Sequence, residues 1–463
     1  MENNTTTFTG NDSTVVKDDI LQNTGNDMDL TPSALAHGEH DYQDLVRRII
    51  DQGNRRGDRT GTGTRTLFGQ QLRFELNRGL PLFTTKYTNF KPILKELLWF
   101  LSGSTNNNDL DAQIWKEWAA ENGDLGPIYG EQWRAWSAVD REGIRGDLEA
   151  MLATFNQWLG RYAVDGRVEI PRRNYDDMVA FVEGILPQLD KTVDQIQQLI
   201  QGLKDTPMSR RHILSGWNPS VLPSEGGWQY IYRRDQDTTE YDRGQWLTDG
   251  ERLAHMNQGQ YVAAEDSKKG ERWSLDLDQL EVPNYRYWIK LSPQDNVTAG
   301  KAALPPCHTL FQCFCTEIPI QERLADAKLM GFLIGEDPQG GWTNATLVLD
   351  TLKVPKYRLS GQLYQRSADM LLGVPFNVAS YALFLHMLAS VCDMKVDELI
   401  WTGGDCHVYE NHIEGAKELL EREPLPLPDL KLKSRDNIDD FVFEDFEVVD
   451  YRHHPKIKFE IAV

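Results

Sequence analysis

Two hydrophobic periods within one chain predict an α+β fold. Apolar residues at Tyr42, Leu45, Val46, Ile49 and Ile50 line one face of a helix, whereas Leu67 to Phe74 alternate as a half-buried strand does. A third observation adds a strand past the middle of the chain: Cys313 and Cys315 alternate with apolar and aromatic neighbours and read as packing residues rather than ligands.

Residues 1–38 are rich in Asn, Thr, Asp and Gly, a composition that cannot offset the entropy of ordering, and read as a flexible tail. After the helix of Tyr42 to Ile50, a glycine-rich turn from Gly57 to Gly63 leads into the first strand. Ile93, Leu94, Leu97, Leu98, Phe100 and Leu101 then predict a helix buried over most of its surface. Glu96 sits among those apolar residues, where desolvation raises a carboxyl pKa toward acid and base work. Leu148, Met151, Leu152, Phe155 and Leu159, then Met178, Val179, Val182, Ile185 and Leu186, carry helical spacing. From Leu222 to Gly300 the character changes, with Trp228, Tyr230, Tyr232, Trp246, Tyr261, Trp273, Tyr285, Tyr287 and Trp288 among polar residues. Small strands packing on the parent domain account for that pattern better than a stacking platform for bases. No internal repeat is present.

At 463 residues the chain is long enough for one large domain with insertions, or for two or three domains. Its five cysteines are odd in number, lack CxxC pairing and follow no secretory signal, so they read as reduced thiols in a cytoplasmic compartment. A formal charge of −21 argues against general affinity for nucleic acid, although a few local arginines suffice for one nucleotide. The hydropathy reading finds no stretch approaching the ~20 apolar residues that span a bilayer, and no lipidation signal. The histidines show no metal-ligand spacing, so no metal is expected.

The chemistry-bearing residues concentrate in Pro305-Pro306-Cys307-His308, Gln365-Arg366-Ser367 and Gly373-Val374-Pro375-Phe376-Asn377. Alone, Cys307 reads as a small buried hydrophobe. Around it, in order, stand Asp58-Arg59-Thr60-Gly61-Thr62-Gly63-Thr64, Glu96-Leu97-Leu98-Trp99-Phe100, Ile114-Trp115, Tyr129-Gly130, Ser209-Arg210-Arg211 and Gly404-Asp405-Cys406-His407-Val408-Tyr409. This ordered set resembles the thymidylate synthase family over Glu39 to Trp136, Asp194 to about Val221, and Lys301 to Val463. The resemblance lapses over 137–193 and 222–300, which then read as a helical and an aromatic-rich insertion in a catalytic domain of 39–463.

The resemblance implies a mixed, twisted β-sheet packed with helices, with one sheet face forming a homodimer interface. It also implies reductive methylation of dUMP to dTMP, with 5,10-methylenetetrahydrofolate as donor of carbon and hydride. Uracil C6 is electron-poor, so Cys307 is assigned to attack there and make C5 a nucleophile. Arg366 is the candidate for the positive neighbour a thiolate needs. Arg59, Arg366 and the pair Arg210 and Arg211, with Gln365 and Ser367, resemble the phosphate and nucleotide ligands, the pair coming from the other subunit; guanidinium forks suit phosphate oxygens. Asn377 suits uracil, whose O4 accepts and whose N3–H donates. His407 and Tyr409 resemble the pair that holds the sugar hydroxyl, and Asp369 the residue that holds the pterin while facing the nucleotide.

Lys86, Ile114, Trp115, Trp118, Leu304, Leu372, Gly373, Phe376 and Ala462 resemble the folate walls and closing tail. Glu96 and Tyr129 are assigned to proton transfers. After Thr84-Thr85-Lys86 the chain departs from the family, with Tyr87 and Asn89 where an arginine and a histidine or aromatic residue are usual. Two other outcomes share the scaffold: a dUMP hydroxymethylase, in which water rather than hydride captures the methylene, and a nucleotide- or RNA-binding regulator without the reaction.

Overall fold

The structure is a computed structural model that describes residues 38–57, 61–112, 114–137, 192–224, 226–233, 241–243, 284–332 and 342–460, with 226–233, 241–243, 284–290 and 342–344 described for backbone alone. The expected tail, nearly all of the helical insertion, Arg59 and Ala462 lie outside the described residues.

In chain order the strands are β1 (Asn54–Arg56), β2 (Thr64–Glu75), β3 (Ile213–Ser215), β4 (Gly226–Arg233), β5 (Tyr241–Arg243), β6 (Asn284–Lys290), β7 (His308–Glu317), β8 (Tyr357–Asp369), β9 (Lys395–Tyr409), β10 (Asp429–Leu432) and β11 (Phe446–Val449). The helices are α1 (Glu39–Gln52), α2 (Phe90–Ser102), α3 (Tyr129–Arg134), α4 (Gln195–Asp205), α5 (Pro293–Thr298), α6 (Ile320–Leu329), α7 (Trp342–Thr351), α8 (Gly373–Val391) and α9 (Ile413–Leu420). Six strands form one sheet in the order β1-β2-β9-β8-β7-β3. Only β8 and β9 run parallel; the other pairs are antiparallel, so the sheet is mixed. The fold is α+β as expected.

One face of that sheet is buried. Leu72, Phe74, Phe311, Cys313, Cys315, Leu359, Leu363, Leu399 and Trp401 supply it, which is why the two cysteines alternate as they do. Helix α8 packs on it so closely that a Cβ at Gly361 would stand 2.5 Å from the Phe311 ring and 2.9 Å from a Leu385 methyl. The opposite face carries Ile213, Leu310, Phe314 and Tyr364, each more than a third exposed.

Helix α8 corrects the hydropathy reading: its 19 residues are long and apolar enough to cross a membrane by length and composition. It is apolar all round because it runs through the core, with Val378, Ala379, Ala382, Leu383, Phe384 and Leu385 fully buried.

Helix α1 buries Tyr42, Leu45, Val46, Ile49 and Ile50 as its period predicts, and its first residue does local work. Buried Glu39 accepts hydrogen bonds from both backbone N–H groups and both hydroxyls of Thr84 and Thr85. That contact fixes the Thr84-Thr85-Lys86 stretch. The departures after it have local roles: Asn89 caps α2 by accepting from Lys91 N, and Tyr87 packs against Tyr451 and His453.

The aromatic-rich segment holds a three-stranded antiparallel sheet, β5-β4-β6. The sequence reading did not separate α6 and α7, which lie between β7 and β8 and, with Val354 just after them, build a small core of their own from Ala327 and Leu349.

Candidate active site

Cys307 lies just before β7, at the edge of a cavity of about 60 Å³ whose walls include Trp115, Ile128, Tyr129, Asn218, Leu222 and Leu304. The Tyr129 hydroxyl accepts from Cys307 N at 2.8 Å and from His308 N at 3.4 Å, holding the turn into the strand. Arg366 reaches across from β8: its backbone N–H donates to the Cys307 carbonyl at 2.7 Å, and Nη2 lies 3.9 Å from Cys307 Sγ. The same guanidinium donates to the Pro305 and Pro306 carbonyls and lies over the Trp217 ring at 5.6 Å. Burial pushes the Cys307 thiol up, and the charge of Arg366 pulls it back without overcoming burial. The expected cation is in place, but within this chain alone the thiol stays above its ordinary range.

Glu96 is buried on α2, and Trp115 Nε1 donates to its Oε1 at 2.8 Å. Desolvation raises its pKa to about 7, with the indole bond opposing. The Phe100 ring bridges Trp115 and Tyr129, and Trp118 meets Trp115 edge to face at 5.9 Å. Burial first, then the Cys307 charge, raises the Tyr129 hydroxyl far above a free phenol, so it stays protonated.

A second group of residues forms a relay. Trp401 Nε1 donates to Gln365 Oε1 at 2.8 Å, and Gln365 Nε2 donates to Asn377 Oδ1 at 3.0 Å. An indole can only donate, so it sets which end of Gln365 faces Asn377 and leaves the Asn377 amide nitrogen turned away from Gln365. Ser367 contributes its carbonyl to the same Gln365. Burial lowers the His308 pKa to about 4, outweighing the opposing influence of Asn377, so the ring is neutral.

The third group gathers at the ends of β8 and β9, where Asp369 and His407 are register partners. Asp369 Oδ1 accepts from Leu371 N at 2.9 Å and Leu372 N at 3.2 Å, shaping the entry to α8 at Gly373. Lys86 donates to the Leu371 carbonyl, and burial lowers its pKa to about 8 against the charge of Asp369. His407 contacts Asp405, and its ring meets Tyr409 at 5.2 Å. Burial works against charging His407, but the Asp405 bond and the Asp369 charge together raise its pKa.

The remaining predicted residues are placed less centrally. Phe376 and Ile114 are half-buried, and Phe376 packs against the main core. Arg210 and Arg211 are exposed just before β3, at the sheet edge, where Gln312 donates to the Arg210 carbonyl. Sequence reasoning passed over Trp217, Trp401 and Asn218. The signal for Asn218 was a lone polar residue flanked by Trp217 and Pro219; it is buried and donates to Gln132 Oε1 and the Ser137 carbonyl. Among the described residues no group of three or more His, Cys, Asp and Glu side chains is arranged to hold a metal.

The family model for thymidylate synthase matches residues 40–226 and 280–463. The chain belongs to the thymidylate synthase family. It is 36% identical over 427 residues to the thymidylate synthase of Francisella philomiragia, covering 91% of this chain and 99% of that protein. It is 34% identical over 427 residues, with the same coverage, to thymidylate synthases of Francisella tularensis subsp. holarctica strains. The family match breaks at 227–279, inside the aromatic-rich segment. As a member, the chain is an enzyme that methylates dUMP to dTMP with 5,10-methylenetetrahydrofolate as co-substrate.

Proposed function

We propose that Cys307 adds to C6 of dUMP, and that Glu96, Tyr129, Arg366, Asp369 and Asn377 complete the catalytic set. The observation that carries this is the Arg366 guanidinium 3.9 Å from the Cys307 sulfur on a turn held by Tyr129. As the thiolate adds, the C5–C6 π electrons move onto C5, which then bonds to the folate's methylene carbon. Glu96, with a pKa of about 7, takes and returns protons through water at neutral pH, while Tyr129 stays a neutral donor. Loss of the C5 proton, elimination of tetrahydrofolate and return of its hydride leave a methyl group at C5 and dihydrofolate in solution. The thiolate is then expelled from C6.

Arg59, Arg210, Arg211, Arg366, Gln365 and Ser367 hold the phosphate end of dUMP, and His407 with Tyr409 its sugar. Asn377 reads the ring, its amide orientation set by the relay from Trp401. Lys86, Ile114, Trp115, Trp118, Leu304, Asp369, Leu372, Gly373, Phe376 and Ala462 face the folate. The tail before Ala462 is anchored for closure, with His412 on the Glu460 carbonyl at 2.7 Å and Phe459 against the Lys86 ammonium.

The enzyme works as a cytoplasmic homodimer joined through the open sheet face. Ile213, Leu310, Phe314 and Tyr364 on that face, and the exposed Arg210 and Arg211 at its edge, support pairing that sends both arginines into the second copy's site. Five free thiols suit a reducing compartment. The catalytic domain runs from 39 to 463 around the 137–193 and 222–300 insertions.

Purified protein given dUMP and methylenetetrahydrofolate is expected to yield dTMP with one dihydrofolate each; hydroxymethyl-dUMP without dihydrofolate would overturn the reductive outcome. Mixing inactive Cys307→Ala and Arg211→Ala proteins should restore part of the activity as copies exchange. No recovery would remove the shared site.

A further inference from the structure

We infer that helix α5, the C-terminal foot of the aromatic-rich segment, is a positioning element for the acid–base and folate side of the site, acting through Gln294. This rests on the roles proposed above for Glu96 and Trp115. Gln294 lies on α5, and its Nε2 donates to the carbonyls of both Glu117 and Ala119 at 3.2 Å. Those carbonyls belong to the turn that carries Trp115, the donor to Glu96, and Trp118. One amide thereby grips the tryptophan turn from outside at two points.

The foot itself is fixed to the parent fold. Ser292 and Asp295 form a reciprocal cap at the start of α5. Buried Asn296 closes the segment's two ends on each other: Ser224 N donates to its Oδ1 at 2.8 Å, and its Nδ2 donates to the Ser224 carbonyl at 3.0 Å. Lys301 Nζ donates to the Ser220 carbonyl, and Ala302 N to the Val221 carbonyl. Ala303 N donates to the Leu125 carbonyl, and at Gly126, which adopts φ +64°, a Cβ would stand 2.2 Å from the Lys301 carbonyl oxygen. The stretch of chain leading to Leu304 and Cys307 is thus tied to both the foot of the aromatic-rich segment and the loop after the tryptophans. Displacing α5 moves the tryptophan turn, and with it the donor to Glu96.

The test is Gln294→Ala in the full-length enzyme, with Lys328→Ala, exposed on α6, as control. Gln294→Ala is expected to raise KM for methylenetetrahydrofolate about threefold to tenfold, with dUMP affinity unchanged by equilibrium binding. Its acid limb in the pH profile of kcat should move alkaline, because a weakened indole bond leaves the carboxyl pKa higher. Lys328→Ala should match wild type in both. A Gln294→Ala enzyme that only melts earlier, with unchanged folate KM and pH profile, would overturn the inference. Glu96→Gln separates the two levels: full activity in that variant would defeat the proposed role of Glu96, whereas its loss alongside an unshifted Gln294→Ala enzyme defeats only the positioning claim.

Discussion

Cys307 lines the cavity and Glu96 stands behind its Trp115 wall, and burial treats the two alike by pushing each toward its neutral form. Their counterweights differ. Beside the thiol stands a full guanidinium charge at 3.9 Å, and beside the carboxyl a single indole N–H at 2.8 Å. The weaker partner is enough for Glu96, because a carboxyl poised at about 7 is half ionised at neutral pH and can pass a proton either way. The stronger partner is not enough for Cys307, whose thiol still rests above its ordinary value. In the proposed scheme the carboxyl is thus poised within one chain, whereas the thiol there still rests on the neutral side. In the proposed dimer, Arg210 and Arg211 of the second copy add positive charge on the thiol's side.

The largest effect separates the two halves outright. Cys307→Ala should abolish turnover while leaving dUMP binding measurable by calorimetry, since no phosphate ligand is removed. Arg366→Leu should slow alkylation of Cys307 by iodoacetamide at neutral pH and displace its rate profile to higher pH. A profile identical to wild type would show that the guanidinium does not govern the thiol.

Much of this contrast was legible in the residues. The helical period of Tyr42 to Ile50, the apolar surroundings of Glu96 and the alternation around Cys313 each specify a local structure that tertiary packing kept. The Trp401 to Gln365 to Asn377 relay was not legible, because its members come from separate strands and a helix and meet only through register. Helices α6 and α7 escaped for a related reason: their small core is assembled from Ala327, Leu349 and Val354, too sparse to stamp a period on the sequence. Arg210 and Arg211 stand out as a charged pair, yet within one chain they are exposed, so their role cannot be read from their own surroundings.

Glu96→Gln comes next in size. General acid–base catalysis typically contributes about 10²–10⁴-fold, and a loss of that order in kcat is expected with dUMP affinity retained. The same variant tests the burial argument through stability. Because the folded-state pKa lies above the unfolded one, folded protein holds a proton that unfolded protein releases between about 4.5 and 7. Stability from this group is thus greatest below 4.5 and declines until pH passes about 7, by roughly 3 kcal/mol in total. Gln does not titrate, so the melting temperature of Glu96→Gln should gain on wild type as pH rises through that window. A constant difference would mean that Glu96 is not held neutral by burial.

Trp115→Phe sharpens the comparison with the smallest change, since it keeps an aromatic ring between Phe100 and Trp118 while removing the donor along with part of the ring. The indole bond is the one influence that lowers the Glu96 pKa against desolvation. Without it the carboxyl should stay protonated to higher pH, moving the acid limb of kcat in the alkaline direction and costing several-fold in rate at neutral pH, with a net hydrogen bond to a charged group worth ~1.5–3 kcal/mol as the ceiling. At alkaline pH the rate should recover toward wild type, because the carboxylate is then formed without help. A uniform loss at all pH values would instead assign Trp115 to folate stacking alone, and the two halves of the site would then differ in more than the strength of their counterweights.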